Sequence, residues 1–193
     1  MLTTKIFYIN LDERTDRREH MEKLLKGYNY ERFSAIKTDR GYFGCVKSHI
    51  RCLKLARERG LENVIILEDD FTYRGKTELK DILIPENYDM LLLCNLVIND
   101  DLLKQDDNFK RVVRAEWTSG HCVNKRFYDI LIDTFEKSLE QLEEKYCRNN
   151  YLDIYWNRIF KDHIVLTHNN MMGIQMESYS DVKNKMMNRK NTF

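Results

Sequence analysis

The sequence predicts an α/β fold in which helices cover both faces of a largely parallel sheet. Apolar and β-branched runs at 5–11, 63–67 and 89–95 have the length and composition of buried strands. Segments with a helical spacing of apolar residues alternate with these runs along the chain. Because alternating strands and helices form parallel sheets with helices on each side, we expect a three-layer α/β/α domain.

The amino-terminal part of the chain supplies two strands and two helices to this arrangement. The strand at 5–11 is followed by polar residues that can cap a helix at 16–26, and Gly27 ends that helix. A shorter strand at 30–36 comes next, and apolar residues at helical spacing then continue to Arg59. This order is typical of consecutive β/α units.

The remainder of the chain mixes strands and helices. The other predicted elements are a short helix at 77–83, strands at 111–115, 117–123 and 164–167, a long amphipathic helix at 125–147 and a helix at 151–156. The polar segment 97–110 is predicted to be a solvated loop. We expect residues 1–182 to form a single domain and residues 183–193 to form a basic, flexible tail.

Composition excludes several classes of protein. The 193 residues are 42% hydrophobic, which is enough for a substantial core. The 32 basic and 31 acidic residues leave a net charge of +1, so charge gives no support for nucleic-acid binding. The longest apolar runs are too short to cross a bilayer, and the amino terminus lacks the apolar core of a secretory signal. We expect a soluble, cytoplasmic protein with no integral membrane segment.

The cysteines indicate a reducing compartment. Their number, five, is odd, they are widely spaced, and no Cys-x-x-Cys pair occurs. This pattern argues against a disulfide framework and against a structural zinc site. We expect each cysteine to be a small buried hydrophobic residue.

The strand at 63–67 ends in three consecutive acids, Glu68, Asp69 and Asp70. Three crowded carboxylates repel one another and lose hydration near an apolar layer, so they need a cation or hydrogen-bond donors. Strand alternation places Glu68 and Asp70 on one face and Asp69 on the other. The spacing of Glu68 and Asp70 suits oxygen ligation of Mn²⁺ or Mg²⁺. Acidic doublets also occur in the segment 97–110, so only the position after a buried strand makes this cluster informative.

Basic residues follow the first predicted strand. Arg14, Arg17 and Arg18 lie at or just beyond its carboxyl end, where they can clamp a diphosphate. A solvated basic helix face explains them equally well. For His49, near the start of the second helix, a structural hydrogen bond is the more general explanation.

Several motifs occur in a fixed order along the chain. They are Ile9-Asn10-Leu11-Asp12-x-Arg14-x-Asp16-Arg17-Arg18, Gly44-Cys45-x-x-Ser48-His49, Ile66-Leu67-Glu68-Asp69-Asp70, Ser119-Gly120-His121, Asp153 and Gln175-x-x-x-Tyr179-Ser180-Asp181. This series resembles glycosyltransferase family 25, which contains bacterial lipooligosaccharide galactosyltransferases and procollagen galactosyltransferases. The resemblance spans nearly the whole chain.

The resemblance implies a GT-A fold and an inverting, metal-dependent transfer of galactose or glucose. The donor is a UDP-sugar held through Mn²⁺, or Mg²⁺, at a DxD-like motif, and the acceptor is a hydroxyl of a glycan or of hydroxylysine. Glu68 and Asp70 resemble the metal ligands, and Asp69 resembles a contact to the donor ribose or sugar. The residues that resemble the rest of the nucleotide-sugar site are Asn10, Arg14, Arg17, Ser48, His49, Gln175, Ser180 and Asp181.

Inverting transfer also requires a base on the acceptor side. An acceptor hydroxyl must attack in line with the departing diphosphate, and a carboxylate must take its proton. Asp153, at the start of a predicted helix, is our candidate, since the positive end of the helix dipole keeps it ionised. A role limited to stabilising that helix is an equal alternative.

Other functions remain open at this stage. A binding or scaffold protein that has lost catalysis has no reason to retain three repelling acids, and a two-metal nuclease or phosphatase is disfavoured by the near-neutral charge. His168 is either a further metal or diphosphate ligand or, in our preferred interpretation, a structural histidine. The segment 168–172 lacks the proline-containing run of the family, so the acceptor is the least constrained part of the prediction.

Overall fold

The fold is described from a computed structural model, for residues 4–97, 102–104, 107–180 and 185–187. Its strands are β1 (Lys5–Asn10), β2 (Tyr30–Ser34), β3 (Asn63–Glu68), β4 (Phe71–Tyr73), β5 (Met90–Val97), β6 (Leu102–Lys104), β7 (Phe109–Val112), β8 (Ala115–Asn124), β9 (Val165–His168), β10 (Gly173–Gln175), β11 (Ser178–Ser180) and β12 (Lys185–Met187). Its α-helices are α1 (Thr15–Leu24), α2 (Gly41–Glu58), α3 (Tyr128–Glu144) and α4 (Leu152–Tyr155).

A mostly parallel central sheet organises the described residues, as predicted. Its eight strands lie in the order β2-β1-β3-β8-β5-β9-β7-β6. Strands β2, β1, β3, β5, β9 and β6 run in one direction, and β8 and β7 run in the other. Strand β8 is inserted antiparallel between β3 and β5, so the sheet is mixed at its centre. The carboxyl ends of β1 and β3 lie side by side.

Helices and a small sheet cover the two faces and confirm the three-layer prediction. Alternate residues of β3 face opposite ways because strand side chains have a period of two. Val64 and Ile66 join the core under α2, α3 and α4, together with Phe135 of α3. Ile65 and Leu67 join a second core under α1, a single 3-10 turn and the two-stranded sheet of β4 and β10.

Several predicted boundaries are wrong. The helix predicted at 77–83 is a single 3-10 turn, Leu79–Asp81, which begins with a reciprocal Glu78–Asp81 capping box and ends where Ile82 takes up an extended conformation. The loop predicted at 97–110 includes β6 and the start of β7, and the strand expected at 111–115 begins at Phe109. These strands lie at one edge of the sheet, and neither carries the continuous apolar run that identifies a buried strand.

The helix predicted at 125–147 is shorter than expected. It begins with a 3-10 turn, Lys125–Phe127, and ends at Glu144.

Within the predicted tail, Lys185–Met187 forms β12 and pairs antiparallel with β11. In the described ranges no helix combines the length and apolar character needed to cross a membrane.

The cysteines depart in part from their predicted burial. Cys52, Cys94 and Cys122 are buried in the core, as expected. Cys45 and Cys147 are only half-buried. Cys45 lies in the first turns of α2, where it packs against the core and also lines the wall of a cavity.

Candidate active site

A cavity of about 900 Å³ opens at the carboxyl ends of β1 and β3. Its wall also includes the loop after β2, the first turns of α2, part of β8, the start of α4 and the end of β10. Most of the predicted site residues line it, although they are far apart in sequence. These residues are Arg17, Ser48, His49, Glu68, Asp69, Asp70, Asp153 and Gln175.

Glu68 is held by polar groups from two neighbouring elements. Thr118 Oγ1 donates to Glu68 Oε1 at 2.6 Å and Ser119 Oγ donates to Oε2 at 3.3 Å. The Nε2 atom of His49, on α2, lies 3.1 Å from Oε1. Burial disfavours the charged carboxylate, but the contacts with His49 and Thr118 outweigh it, so the pKa of Glu68 lies below its usual value. Gln175 Nε2 donates to the Ser119 hydroxyl and extends this network.

Asp69, the first residue after β3, contacts β1 and α1, whereas Glu68 contacts α2 and β8. Arg17 Nη1 donates to Asp69 Oδ1 at 2.6 Å, and Asn10 Nδ2 donates to Oδ2 at 2.8 Å. Asn10 is itself oriented by Arg32, whose Nε donates to its Oδ1 at 2.9 Å. Burial raises the pKa of Asp69, although Arg17 and Asn10 oppose the rise. Arg17 therefore fixes a carboxylate inside the site.

Asp70 lies beyond the end of β3, in a turn. Its carbonyl oxygen accepts from the Met176 N–H at 2.7 Å, and its half-buried side chain lines the cavity. Because β3 ends at Glu68, strand alternation does not fix the direction of the Asp70 side chain. The prediction that Glu68 and Asp70 share a strand face therefore has no basis in this backbone.

Ser48 and Gly44 attach α2 to the loop after β2. The Ser48 hydroxyl donates to the Gly44 carbonyl at 2.7 Å and accepts from the Ile36 N–H at 2.8 Å. A Cβ atom on Gly44 would lie 2.2 Å from the Ile36 carbonyl oxygen. Only glycine permits this approach, so these residues fix the cavity wall at the start of α2.

Asp153 lies in the first turn of α4 and holds an unusual backbone segment of β8. Its Oδ2 accepts from the Trp117 N–H at 3.1 Å. Trp117 has φ +67°, the only left-handed non-glycine residue in the described part of the chain. Asn95 Nδ2 donates to the Trp117 carbonyl. Such a conformation costs on the order of 1–3 kcal/mol, and the two hydrogen bonds help to maintain it.

Aromatic residues that the sequence did not single out form part of the wall. The Tyr42 and Tyr151 rings stack with centroids 3.6 Å apart and an interplanar angle of 16°. Both line the cavity, as does Trp117. No motif marks these three residues. Cys45 and Thr118 were also missed, although Cys45 lies four residues before His49 and its helical spacing places both on one face of α2.

His121 is fully buried behind the cavity wall and stacks on His49 with ring centroids 5.6 Å apart. Burial, reinforced by the nearby His49, lowers the pKa of His121 to about 3. The ring is therefore neutral near pH 7.

The structure separates the three arginines that follow β1. Arg17 is buried in the site, Arg18 is exposed and pairs with Glu22, and Arg14 donates two hydrogen bonds to Asp16, at 3.0 and 2.9 Å. The solvated-helix interpretation therefore fits Arg18, whereas Arg17 contributes to the site. Arg14 lies outside the cavity lining, although its carbonyl accepts from Asn10 Nδ2 at 3.0 Å.

Three further predicted residues lie away from the cavity or cannot be placed there. His168 packs against the Phe109 ring at 4.7 Å, outside the cavity lining, and burial lowers its pKa. This agrees with its structural interpretation. Ser180 lies in β11 by its backbone, and Asp181 lies outside the described residues.

The described residues form a glycosyltransferase-like, GT-A-like α/β/α fold. The chain is similar to the crystal structure of a glycosyltransferase involved in the glycosylation of the major capsid of PBCV-1, with 11% identity, a TM-score of 0.57 and coverage of 92% of this chain and 95% of that one.

Two further solved structures have comparable folds. A197 from STIV has 12% identity and a TM-score of 0.50, with 95% of this chain and 93% of that chain covered. Mannose-1-phosphate geranyltransferase from Thermus thermophilus has 9% identity and a TM-score of 0.50, with 89% and 75% covered. At these identities the likeness establishes the fold alone. No protein-family model and no curated protein matches the chain.

Proposed function

We propose that the protein is an inverting, metal-dependent hexosyltransferase of the family 25 type. It would transfer galactose or glucose from a UDP-sugar to a hydroxyl group of a glycan or of hydroxylysine. The observation that carries the proposal is the cavity of about 900 Å³ whose wall joins the acids at the end of β3 to Asp153 at the start of α4. A cavity of this size can enclose a nucleotide-sugar.

The donor contacts follow from the partners of Asp69. Arg17 and Asn10 each donate one hydrogen bond to this carboxylate, and a carboxylate can accept about four. Asp69 can therefore also accept from a ribose or sugar hydroxyl. The remaining proposed nucleotide-sugar residues are Arg14, Ser48, His49, Gln175, Ser180 and Asp181.

Asp70 and Glu68 are the proposed metal ligands. Asp70 lines the cavity from a turn, where it can reach a bound diphosphate. Glu68 already has three protein contacts, so it has room for about one further interaction. Two carboxylates with open positions for phosphate and water suit Mn²⁺ or Mg²⁺. When bound, the metal would neutralise the charge that develops on the departing diphosphate.

Asp153 is the proposed base. The acceptor oxygen attacks C1 of the sugar, the bond from C1 to the phosphate oxygen breaks, and UDP leaves with the electron pair. The proton of the acceptor hydroxyl passes to Asp153, whose orientation is fixed by the Trp117 N–H. Three aromatic residues, Tyr42, Tyr151 and Trp117, also line the cavity, and aromatic rings can pack against a sugar ring, which favours a glycan as acceptor.

The donor half of the proposal is tested by calorimetry with UDP, with and without Mn²⁺. We expect Mn²⁺ to strengthen UDP binding and Asp70→Asn to reduce this enhancement at least about tenfold, which corresponds to ~1.4 kcal/mol. Asp133→Asn, on the exposed surface of α3, is the matched control and should behave as wild type. UDP that does not bind, or whose binding ignores both Mn²⁺ and Asp70→Asn, contradicts the proposal.

The catalytic half is tested by Asp153→Asn. The asparagine carbonyl can still accept from Trp117, so the backbone should be preserved while the base is lost. We expect kcat for sugar transfer to fall by roughly 10²–10⁴ with little change in UDP affinity. Near-normal transfer would remove Asp153 from the mechanism.

A screen of UDP release from several UDP-sugars identifies the donor. UDP binding without any turnover would favour the alternative function, a catalytically inactive scaffold protein.

A further inference from the structure

Donor atoms of three different kinds meet at the start of α2. They are Cys45 Sγ, a ring nitrogen of His49 and a carboxylate oxygen of Glu68, all within 4.8 Å of one another. Cys45 and His49 are four residues apart on one helical face, and Glu68 reaches them from the end of β3. In the described ranges, no other group of three or more His, Cys, Asp and Glu ligand atoms is as close.

The surroundings of His49 provide a second, independent observation. Its side chain is 1% exposed, and its Nε2 lies 3.1 Å from Glu68 Oε1. Its other ring nitrogen, Nδ1, is buried and has no hydrogen-bond partner among the described residues. Buried polar atoms in folded proteins almost always have a partner, so one ring nitrogen of His49 lacks a partner that folded proteins normally supply.

The chemistry of the donor set identifies the class of ligand. One thiol, one imidazole and one carboxylate form the mixed sulfur, nitrogen and oxygen set that Zn²⁺ accepts. Mn²⁺ and Mg²⁺ prefer oxygen alone. All three residues line the cavity, so a fourth position can be left to water or to a ligand, as in zinc sites with three protein ligands. The cluster also differs from a structural zinc site, which needs four protein ligands.

We propose that Cys45, His49 and Glu68 form a Zn²⁺ site in the cavity wall, and that Zn²⁺ bound there inhibits sugar transfer. Binding replaces the Cys45 thiol proton, which leaves to solvent as the sulfur–zinc bond forms. Inhibition follows because Glu68 also belongs to the proposed Mn²⁺ site, and its existing protein contacts leave it about one open position, for which the two ions compete. The binding claim rests on the geometry alone, whereas the inhibition claim also rests on the proposed function.

Cobalt spectroscopy tests the binding claim on the full-length protein. Co²⁺ replaces Zn²⁺ in tetrahedral sites, and a cysteine ligand gives a thiolate-to-cobalt charge-transfer band. We expect wild type to bind one Co²⁺ with this band and to release it to one equivalent of Zn²⁺. The nearly isosteric Cys45→Ser should abolish the band and weaken Zn²⁺ binding at least about tenfold. His49→Gln should also weaken it, since removal of one ligand costs affinity.

Cys147→Ser is the matched control, since Cys147 is also half-buried but lies outside the cavity lining. This variant should keep the band. Absence of stoichiometric Co²⁺ binding by folded wild type overturns the site, and so does a band that survives Cys45→Ser or disappears with Cys147→Ser. Circular dichroism of each variant verifies that it is folded.

The inhibition claim is tested by titrating Zn²⁺ into a transfer assay that contains Mn²⁺. The concentration for half-inhibition should rise at least about tenfold in Cys45→Ser, each variant being compared with its own rate without Zn²⁺. Equal inhibition of both proteins overturns the inhibition claim. If wild type neither binds UDP nor transfers sugar in the absence of Zn²⁺, the proposed function is contradicted. The cobalt spectrum then still decides whether the metal site exists.

Discussion

The ion pair between Arg17 and Asp69 is the most enclosed charge interaction of the candidate site. Each side chain is 10% exposed, and the Nη1–Oδ1 distance is 2.6 Å. Removal of one member of such a pair leaves a buried charge without compensation, which costs far more than the loss of a surface pair. The pair therefore couples the stability of α1 to the orientation of an acid in the cavity.

Arg17→Met tests this coupling. We expect it to reduce the free energy of unfolding by about 3 kcal/mol, because Asp69 keeps only the Asn10 hydrogen bond. Addition of Asp69→Asn should restore at least about 1 kcal/mol, since the buried charge is then gone. Urea denaturation of the single and double variants measures both values.

The control is Arg57→Met, which breaks a pair with Asp129 whose side chains are 47% and 78% exposed. It should stay within about 0.5 kcal/mol of wild type. A loss as large as that of Arg17→Met, or a double variant less stable than the single, would contradict the interpretation of Arg17 as a buried positioning residue.

At the residue scale, the sequence reveals composition and spacing but not contacts. The three acids after an apolar strand are visible, but the end of β3 at Glu68 is not, so alternation cannot be extended to Asp69 and Asp70. The roles of the basic residues are not visible, because Arg17 and Arg18 differ only in which side of α1 they occupy. Asp153 was selected for its position at a helix start, and its contact with Trp117 depends on a left-handed backbone that no residue type at 117 demands.

The beginning of α2 is the element whose position most directly shapes the cavity. Its approach to the loop after β2 depends on the missing Cβ of Gly44 and on the Ser48 hydroxyl. A glycine within a helix usually costs stability relative to alanine. At this position the close approach to Ile36 outweighs that preference.

Gly44→Ala should therefore destabilise the protein by about 2 kcal/mol, although alanine favours the helix by up to ~1 kcal/mol. UDP affinity should fall as well, because the cavity wall must move. The comparison is Gly60→Ala, where a Cβ meets open space and only the φ of +62° opposes the change. That variant should cost about 1 kcal/mol and leave UDP affinity unchanged. Thermal unfolding and calorimetry give the two values, and a Gly44→Ala protein as stable as wild type would refute the steric argument.

At the element scale, predictability follows burial. Strands β1, β3 and β5 are buried on both faces and carry continuous apolar runs, so the sequence identifies them to within one or two residues. Strand β7 pairs near the sheet edge and reads FKRV, a pattern without clear alternation. The 3-10 turn at Leu79–Asp81 begins with a capping box, a motif that also begins longer helices, so the sequence does not reveal how short the turn is.

On the scale of the whole molecule, buried ionisable groups make stability depend on pH. The pKa of His121 is lowered to about 3 by burial, against an ordinary value of 6.5. Between these values the unfolded chain binds a proton at this residue that the folded chain does not, so stability falls as pH falls. The lowered pKa of Glu68 acts in the same direction, and the raised pKa of Asp69 opposes it.

His121→Gln should flatten this dependence. Without bound metal, wild type should lose roughly 1–2 kcal/mol between pH 6.5 and 4.5 that the variant retains, since one group contributes up to about 1.4 kcal/mol per pH unit. Urea denaturation at each pH in the presence of a chelator measures the difference. Parallel pH profiles for the two proteins would mean that His121 is not the titrating group.

The layered architecture can be predicted from the alternation of strands and helices along the chain. The arrangement of the strands within the sheet cannot. Nothing in the apolar pattern of β8 indicates that it runs antiparallel between β3 and β5. That insertion is a long-range contact, and pairing of this kind is decided by the packed core. The cavity depends on it, because β8 supplies Trp117 and Thr118 to the wall.

Strand β8 therefore sets the distance between two acids of the candidate site. Thr118 and Ser119 hold Glu68, while the adjacent Trp117 holds Asp153. Neighbouring strand residues are about 3.3 Å apart, so the spacing between the proposed donor-side and acceptor-side acids is set by one short piece of backbone. A shift of β8 by one residue would misalign both acids at once. Substitutions in β8 should therefore reduce donor binding and the rate of transfer together. Substitutions in α2 or α4 should more often change one of these two quantities without the other.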